Sequence, residues 1–161
     1  MSNFVTSYAT IDEIGEIKAL DDLAFGDHHG ISTEELENVI THGIIILLRD
    51  KGNGMLVGES QIVLSHFDGC SYFPKNLAFC YGTAIHPLFQ GMGLGPILAE
   101  KQENIARDSE KDGMFATVRP ENYPSIKMRL KKGFLIVEYL RDYYGLNPET
   151  DSRLGIIKEF S

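Results

Sequence analysis

Long hydrophobic runs are missing from this 161-residue sequence. The longest purely aliphatic stretch is residues 44–48, IIILL, against the ~20 apolar residues that a membrane-spanning helix needs. No membrane partner is expected. Cysteine is scarce: Cys70 and Cys80 are too few for a disulfide framework. The opening residues MSNFVTSYAT have neither the basic region nor the apolar core suited to export, so the two thiols are expected in the cytoplasm. Positive charge is in deficit as well. Fifteen Lys and Arg stand against 23 Asp and Glu, a net charge of −8. Such a surface repels nucleic acid, so neither DNA nor RNA is an expected partner. It suits a cationic partner, or solubility alone. Repeats, low-complexity tracts and linkers are also missing, so residues 1–161 are expected to form a single domain. A chain of this length buries about two thirds of its unfolded surface.

Hydrophobic periodicity arranges the chain as strands and helices. Residues 4–9 suit a strand. Thr10 with Glu13 forms a capping box, opening a helix with Ile14, Ile17, Leu20 and Leu23 on one face, which Gly26 and its neighbours break. Ser32 with Glu35 repeats the signal for a helix over Leu36, Val39 and Ile40. Residues 43–49 read as a buried strand, Lys51-Gly52-Asn53-Gly54 as a hairpin turn, and 55–67 as the returning strand. A loop over 68–76 leads to a strand at 77–85. A helix at 96–112 stops at Gly113, before a strand at 114–118. Asn122 caps a short helix with Pro124 in its first turn, and Gly133 closes it with a left-handed residue. Strands at 134–140 and 154–160 complete the order β-α-α-β-β-β-α-β-α-β-β, an α/β sandwich.

One connection says most about function. Residues 84–95, AIHPLFQGMGLG, end a strand at His86-Pro87 and then place Gly91, Gly93 and Gly95 at every second position ahead of a helix. Glycine reaches backbone angles closed to other residues and brings no side chain to block approach. A turn of this kind aims several peptide N–H groups at one spot, where the helix dipole adds positive potential. It is a phosphate site, or else a tight strand–helix connection. Spacing sorts the phosphate ligands. A dinucleotide fingerprint would need glycine where Pro96 stands, and an acidic residue after a following strand, which is missing. A triphosphate loop needs Gly-Lys-Ser/Thr, and no lysine lies between Lys75 and Lys101. Further on, Lys127, Arg129, Lys131 and Lys132 gather four cations in six residues, as a solvated helix face or as an attraction for phosphates.

What fits is Gln90-x-x-Gly93-x-Gly95, which resembles the acyl-coenzyme A signature of the GNAT N-acetyltransferase superfamily, Gln/Arg-x-x-Gly-x-Gly/Ala. Thr83-Ala84-Ile85-His86-Pro87 is similar to the end of that family's fourth strand. Asn122-x-x-Ser125-Ile126-x-Met128, followed by Gly133-Phe134, is similar to its second conserved block. The resemblance spans residues 77–140; residues 1–76 match in element order alone. It implies a mixed, largely antiparallel central sheet, splayed between its fourth and fifth strands, with helices on both faces. It also implies acetyl-CoA as co-substrate, no metal, and an amine as the second partner. By this resemblance Gln90, Gly91, Met92, Gly93, Leu94 and Gly95 would hold the pyrophosphate, although Pro96 offers no N–H. Backbone amides at Thr83 and Ile85 would polarise the thioester carbonyl. Asn122, Ser125 and Arg129 would line the cofactor; Asn122 serves equally as a plain helix cap.

Proton handling departs from the family pattern. An alkylammonium keeps its proton to about pH 10, so a base must remove it. The glutamate that some relatives carry four residues before the Thr83 position is Phe79 here. Glu59, His66, Glu138 and the pair His28-His29 could substitute, each otherwise a surface or structural residue. The family's frequent tyrosine, seven residues after the asparagine, is Arg129, which cannot donate its proton usefully but could stabilise a thiolate. Tyr143 and Tyr144 are candidates for the missing hydroxyl, or an aromatic turn before Gly145. The implied function is N-acetyl transfer from acetyl-CoA to a primary amine of a small molecule, peptide or protein. A non-catalytic acyl-CoA-binding domain, sensor or structural, is the alternative that these departures keep open. Two copies pairing through the closing strands, common among relatives, would form a homodimer.

Overall fold

Local signals start the first helices where the sequence puts them. In a computed structural model describing residues 2–26, 30–66, 76–141 and 152–161, β1 (Phe4–Tyr8) runs into a 3-10 turn at Ile11–Glu13 and then α1 (Ile14–Phe25). The Thr10 N–H donates to Glu13 Oε1 at 3.0 Å. The second capping box is also present: Ser32 Oγ accepts from the Glu35 N–H (3.1 Å) and Glu35 Oε2 from the Ser32 N–H (2.9 Å), opening α2 (Thr33–His42). The buried face of α1 differs from expectation. Ile14, Ile17 and Leu20 are buried, but Leu23 is 55 % exposed and Asp21 takes a core position. At 3.6 residues per turn the stripe drifts from Leu20 to Ala24, which packs on the core, and leaves Leu23 outside it.

The remaining elements are β2 (Gly43–Asp50), β3 (Leu56–Val63), β4 (Leu77–Ile85), α3 (Leu94–Asp108), β5 (Gly113–Val118), α4 (Tyr123–Lys131), β6 (Leu135–Leu140) and β7 (Arg153–Glu159). Two boundaries move for physical reasons. α3 begins at Leu94 rather than at 96, because Gly93 in the left-handed region ends the turn and Pro96 is tolerated where no intrahelical N–H is needed. α3 also stops at Asp108, and Glu110 (φ 58°) makes the reversal. Gly113 therefore belongs to β5: a Cβ there would lie 2.3 Å from the Lys158 carbonyl on β7, so the strands approach too closely for a side chain.

Among the described residues seven strands lie in the order β1-β2-β3-β4-β5-β7-β6. Every neighbouring pair is antiparallel except β4 and β5. One apolar core, including Ile17, Leu36, Val39, Phe79 and Phe115, packs α1 and α2 on one face; the other, including Leu48, Leu98, Met114 and Ile156, packs α3 on the opposite face. Among the described residues no helix is long and apolar enough to cross a membrane.

The sheet opens between its fourth and fifth strands, as expected. β4 and β5 pair over four positions, from Leu77–Gly113 to Cys80–Ala116, and then part. β5 stays with β7 as far as Val118–Leu154, so residues 81–85 of β4 face a gap. A bulge begins that divergence. Gln61 pairs with Gly82 and Ile62 with Cys80, which leaves Tyr81 as the extra residue on β4.

Candidate active site

The glycine turn ends at the mouth of this gap. Gly91 (φ 78°) and Gly93 (φ 77°) both take the left-handed backbone that favours glycine. Gly93 is the N-cap of α3 and makes no side-chain cap. The N–H groups of Gly93, Leu94 and Gly95 precede the first intrahelical bond, and Pro96 supplies none. Three orphan donors thus stand at the positive end of a 15-residue helix. Among the described residues, a Cβ built on Gly91, Gly93 or Gly95 meets nothing within 4 Å. At Gly95, whose backbone is helical, neither strain nor crowding calls for glycine; its small size leaves the amides open from outside. A diphosphate matches these donors. Leu94 is buried in the core and Met92 is exposed. Gln90 ties the turn to the strand, its Nε2 donating to the Ile85 carbonyl at 3.1 Å.

The end of β4 presents a second set of donors. The His86 N–H donates to the Val57 carbonyl at 2.8 Å. Bonded and non-bonded positions alternate in an antiparallel pair, so the next bonded pair is Glu59–Ala84. Thr83 and Ile85 consequently turn their peptide groups away from β3, towards the gap. The Thr83 hydroxyl lies 2.8 Å from Ser60 Oγ.

Glu59-Ser60-Gln61 places three polar residues inside a strand that is buried throughout. Glu59 has no exposed surface. A Cβ on Gly58 would face Leu98 of α3 at 3.4 Å, so Glu59, the next residue, points to the opposite face, where Asp21 of α1 acts on it. Gln61 Nε2 donates to both Glu59 oxygens, at 3.0 and 3.2 Å. Burial, reinforced by the Asp21 charge, pushes the Glu59 carboxyl up to about 8 against the lowering effect of Gln61. Asp21 is itself pushed up, first by burial, although its Oδ2 accepts from the Ile31 N–H at 2.6 Å. Phe79, at the family's glutamate position, packs against Tyr81 and Phe115 in the core on the same face as Glu59. The carboxyl missing from β4 therefore has a counterpart on β3.

A stability consequence follows. Glu59 holds its proton up to about pH 8 in the folded chain but only to its ordinary 4.5 when unfolded. Between those values the folded state binds more protons, so this group's contribution to stability falls as pH rises. Glu59→Gln removes that slope. Its denaturation midpoint should gain on the wild type between pH 5 and pH 8; an offset that does not change with pH would contradict this.

Arg129 leaves the cationic run and turns inward, with 6 % exposure. Its Nη2 donates to Gln102 Oε1 at 3.1 Å, and its Cζ lies 5.3 Å from the centre of the Phe134 ring. Gln102, fully buried on α3, donates through Nε2 to the Gln61 carbonyl at 2.9 Å, beside the β4 bulge. Among the described residues Arg129 Nη1 is buried without a hydrogen-bond partner, while the guanidinium also hydrogen-bonds the Cys80 thiol. Lys127, Lys131 and Lys132 instead line an open groove with Pro96, Pro124 and Met128. Asn122 is the N-cap of α4, its Oδ1 accepting from the Ser125 N–H at 3.3 Å. His66 is exposed, and Glu138 of β6 leans on Gly155, three strands from β4. Tyr143, Tyr144, His28 and His29 lie outside the described residues. Among the described residues no group of three His, Cys, Asp or Glu could hold a metal ion. Gln61, Gln102 and Asp21 were not anticipated from sequence. Their signal is a polar residue at a core position of an otherwise apolar pattern.

The acetyltransferase (GNAT) family model matches residues 15–134. No curated protein matches the sequence significantly. Solved structures match in fold. The loading GNATL domain of CurA from Lyngbya majuscula superposes with a TM-score of 0.80 at 15 % identity, over 98 % of each chain. Ard1 from Thermoplasma volcanium gives 0.79 at 15 % identity over 99 % of each chain. For yncA from Salmonella typhimurium, solved with its cofactor acetyl-CoA, the values are 0.73 and 16 %, over 99 % of this chain and 95 % of that one. The family match takes in the glycine turn, the end of β4 and the Asn122 block, and the chain belongs to the acetyltransferase (GNAT) family.

Proposed function

We propose that this chain acts in the cytoplasm, moving an acetyl group from acetyl-CoA to a primary amine of a small molecule, peptide or protein by direct attack in a ternary complex. The observation that carries the reading is the meeting of two donor sets at one gap. The orphan amides of Gly93, Leu94 and Gly95 would hold the pyrophosphate, with Gly91 and Met92 beside it. The outward peptide groups of Thr83 and Ile85 would take the thioester carbonyl oxygen. The oxygen of Asn122 caps α4, which leaves its NH2 group for the pantetheine arm, with Ser125 in the same turn. Lys127, Lys131 and Lys132 supply positive potential beside Pro96 for the remaining phosphate.

Glu59 is the base in this reading. The Glu59 carboxylate takes a proton from the alkylammonium, the freed amine nitrogen attacks the carbonyl carbon to form the new C–N bond, and the second N–H proton passes to water. The C–S bond then breaks, and the sulfur keeps its electron pair. A base that titrates near the working pH suits this transfer. A second copy of the chain is part of the proposal. β6 is an edge strand with Leu135, Ile136, Val137 and Tyr139 exposed, an edge suited to pairing with its twin.

Thermal melts test the choice of ligand. At a hundredfold excess over its dissociation constant, acetyl-CoA adds about 2.7 kcal/mol to the native state. For a chain of this size that is a shift of roughly 5–10 °C. NADH and ATP should shift the melt far less. If either matches acetyl-CoA, the donors serve a different phosphate ligand.

A further inference from the structure

We infer that Arg129 is a catalytic residue of an unusual kind here: a buried, fixed cation that stabilises the coenzyme A thiolate as it leaves, in place of a proton donor. This rests on the acetyl-CoA reading above. A guanidinium removed from water is costly unless an anion compensates it. Arg129 is 6 % exposed, and among the described residues no carboxylate pairs with it. Its named supports are neutral: the Gln102 amide oxygen, the Phe134 ring and the Cys80 thiol. Among the described residues Nη1 is left without a hydrogen-bond partner.

Among the described residues the surroundings do not supply the missing anion. The Cys80 thiol of β4, which Arg129 hydrogen-bonds, is pushed up by burial against the lowering effect of that guanidinium, and stays neutral. Glu103 of α3 is already engaged by Lys158 at 2.7 Å and by Arg107 at 2.9 Å. Among these residues the guanidinium is thus held in place without a counter-ion.

Its position gives that charge a purpose. Cys80 is the last β4 residue paired with β5, so Arg129 sits at the vertex where the two strands part. Gln102 fixes the guanidinium from behind, itself anchored on the Gln61 carbonyl beside the bulge. When the C–S bond breaks, the sulfur takes both electrons. A thiolate at the vertex meets the unpartnered Nη1 and needs no proton in the transition state. Coenzyme A leaves as the anion and collects its proton from water on release.

The test uses coenzyme A itself and needs no acceptor. Binding is first measured by calorimetry. The bound thiol is then titrated through the ultraviolet absorbance of its thiolate, with the spectrum of the protein alone subtracted. An opposite charge in contact lowers an acid by about one to three pH units, so bound coenzyme A should ionise that much below free coenzyme A. Arg129→Met should erase the shift and Arg129→Lys keep part of it. Gln102→Glu gives the guanidinium the counter-ion it lacks, and should also erase the shift in a folded protein. That second variant decides the matter if Arg129→Met does not fold. A wild-type protein that binds coenzyme A with an unshifted thiol overturns the role of Arg129 and leaves the acetyl-CoA reading standing. A shift that survives in Gln102→Glu also overturns it. Failure to bind coenzyme A overturns the acetyl-CoA reading instead.

Discussion

Replacing Glu59 with glutamine should lower turnover by about 10²–10⁴-fold, the usual cost of losing a general base, while acetyl-CoA affinity stays nearly unchanged. Glutamine preserves the shape of the side chain and removes the basic oxygen, so the packing of β3 survives. The pH profile is the sharper readout. Burial and the Asp21 charge put the Glu59 carboxyl at about 8. Below that value most of the enzyme carries a protonated base, so the wild-type rate should climb with pH and level off above 8. Glu59→Gln should flatten this limb. Steady-state kinetics from pH 6 to 9 on both proteins checks it. A variant with undiminished turnover, or a wild-type profile with no break near 8, removes Glu59 from the chemistry.

Gly95→Leu should abolish measurable coenzyme A binding while leaving the fold intact or slightly more stable. Leucine is a better helix former than glycine, and among the described residues nothing lies within 4 Å of the Cβ position. The same side chain would cover the amides of Gly93, Leu94 and Gly95. Hydrogen bonds to a charged group contribute about 1.5–3 kcal/mol each, so losing two costs about 10²–10⁴-fold in affinity. Calorimetry with coenzyme A, beside a denaturation curve, separates the two effects. Gly93→Leu would be a poorer test, because φ at Gly93 is 77° and a side chain there strains the backbone as well. If Gly95→Leu binds as well as the wild type, the phosphate lies elsewhere.

Much of the fold could be read from local signals. Capping boxes at Thr10 and Ser32, the Asn122 cap and the left-handed Gly133 (φ 94°) each depend on contacts within a few residues, and each is present. The element order followed from periodicity. The splayed sheet did not; it came with the resemblance, because strand order and the loss of β4–β5 pairing depend on residues far apart in sequence. The bulge at Tyr81 is invisible for the same reason: its extra residue exists in the pairing with β3, not in the β4 sequence. The burial of Arg129 was closer to legible. Among four cations it reads as solvated, yet it falls three residues after Ile126 and five before Phe134, both of which pack on the core. Glu59 lay in plain view as part of a polar triplet in an apolar strand. What the sequence could not show is that Glu59 faces α1, on the same side of the sheet as Phe79, since that depends on the register of β3.

Thiol release from acetyl-CoA across a panel of small amines, polyamines and peptides separates an N-acetyltransferase from a domain that only binds the cofactor. At least one amine class should drive release, with acetylated amine appearing in equal amount, and Gly95→Leu and Glu59→Gln should both suppress it. Saturable acetyl-CoA binding with no amine-dependent release from any class would contradict N-acetyl transfer, and would leave a non-catalytic acyl-CoA-binding domain.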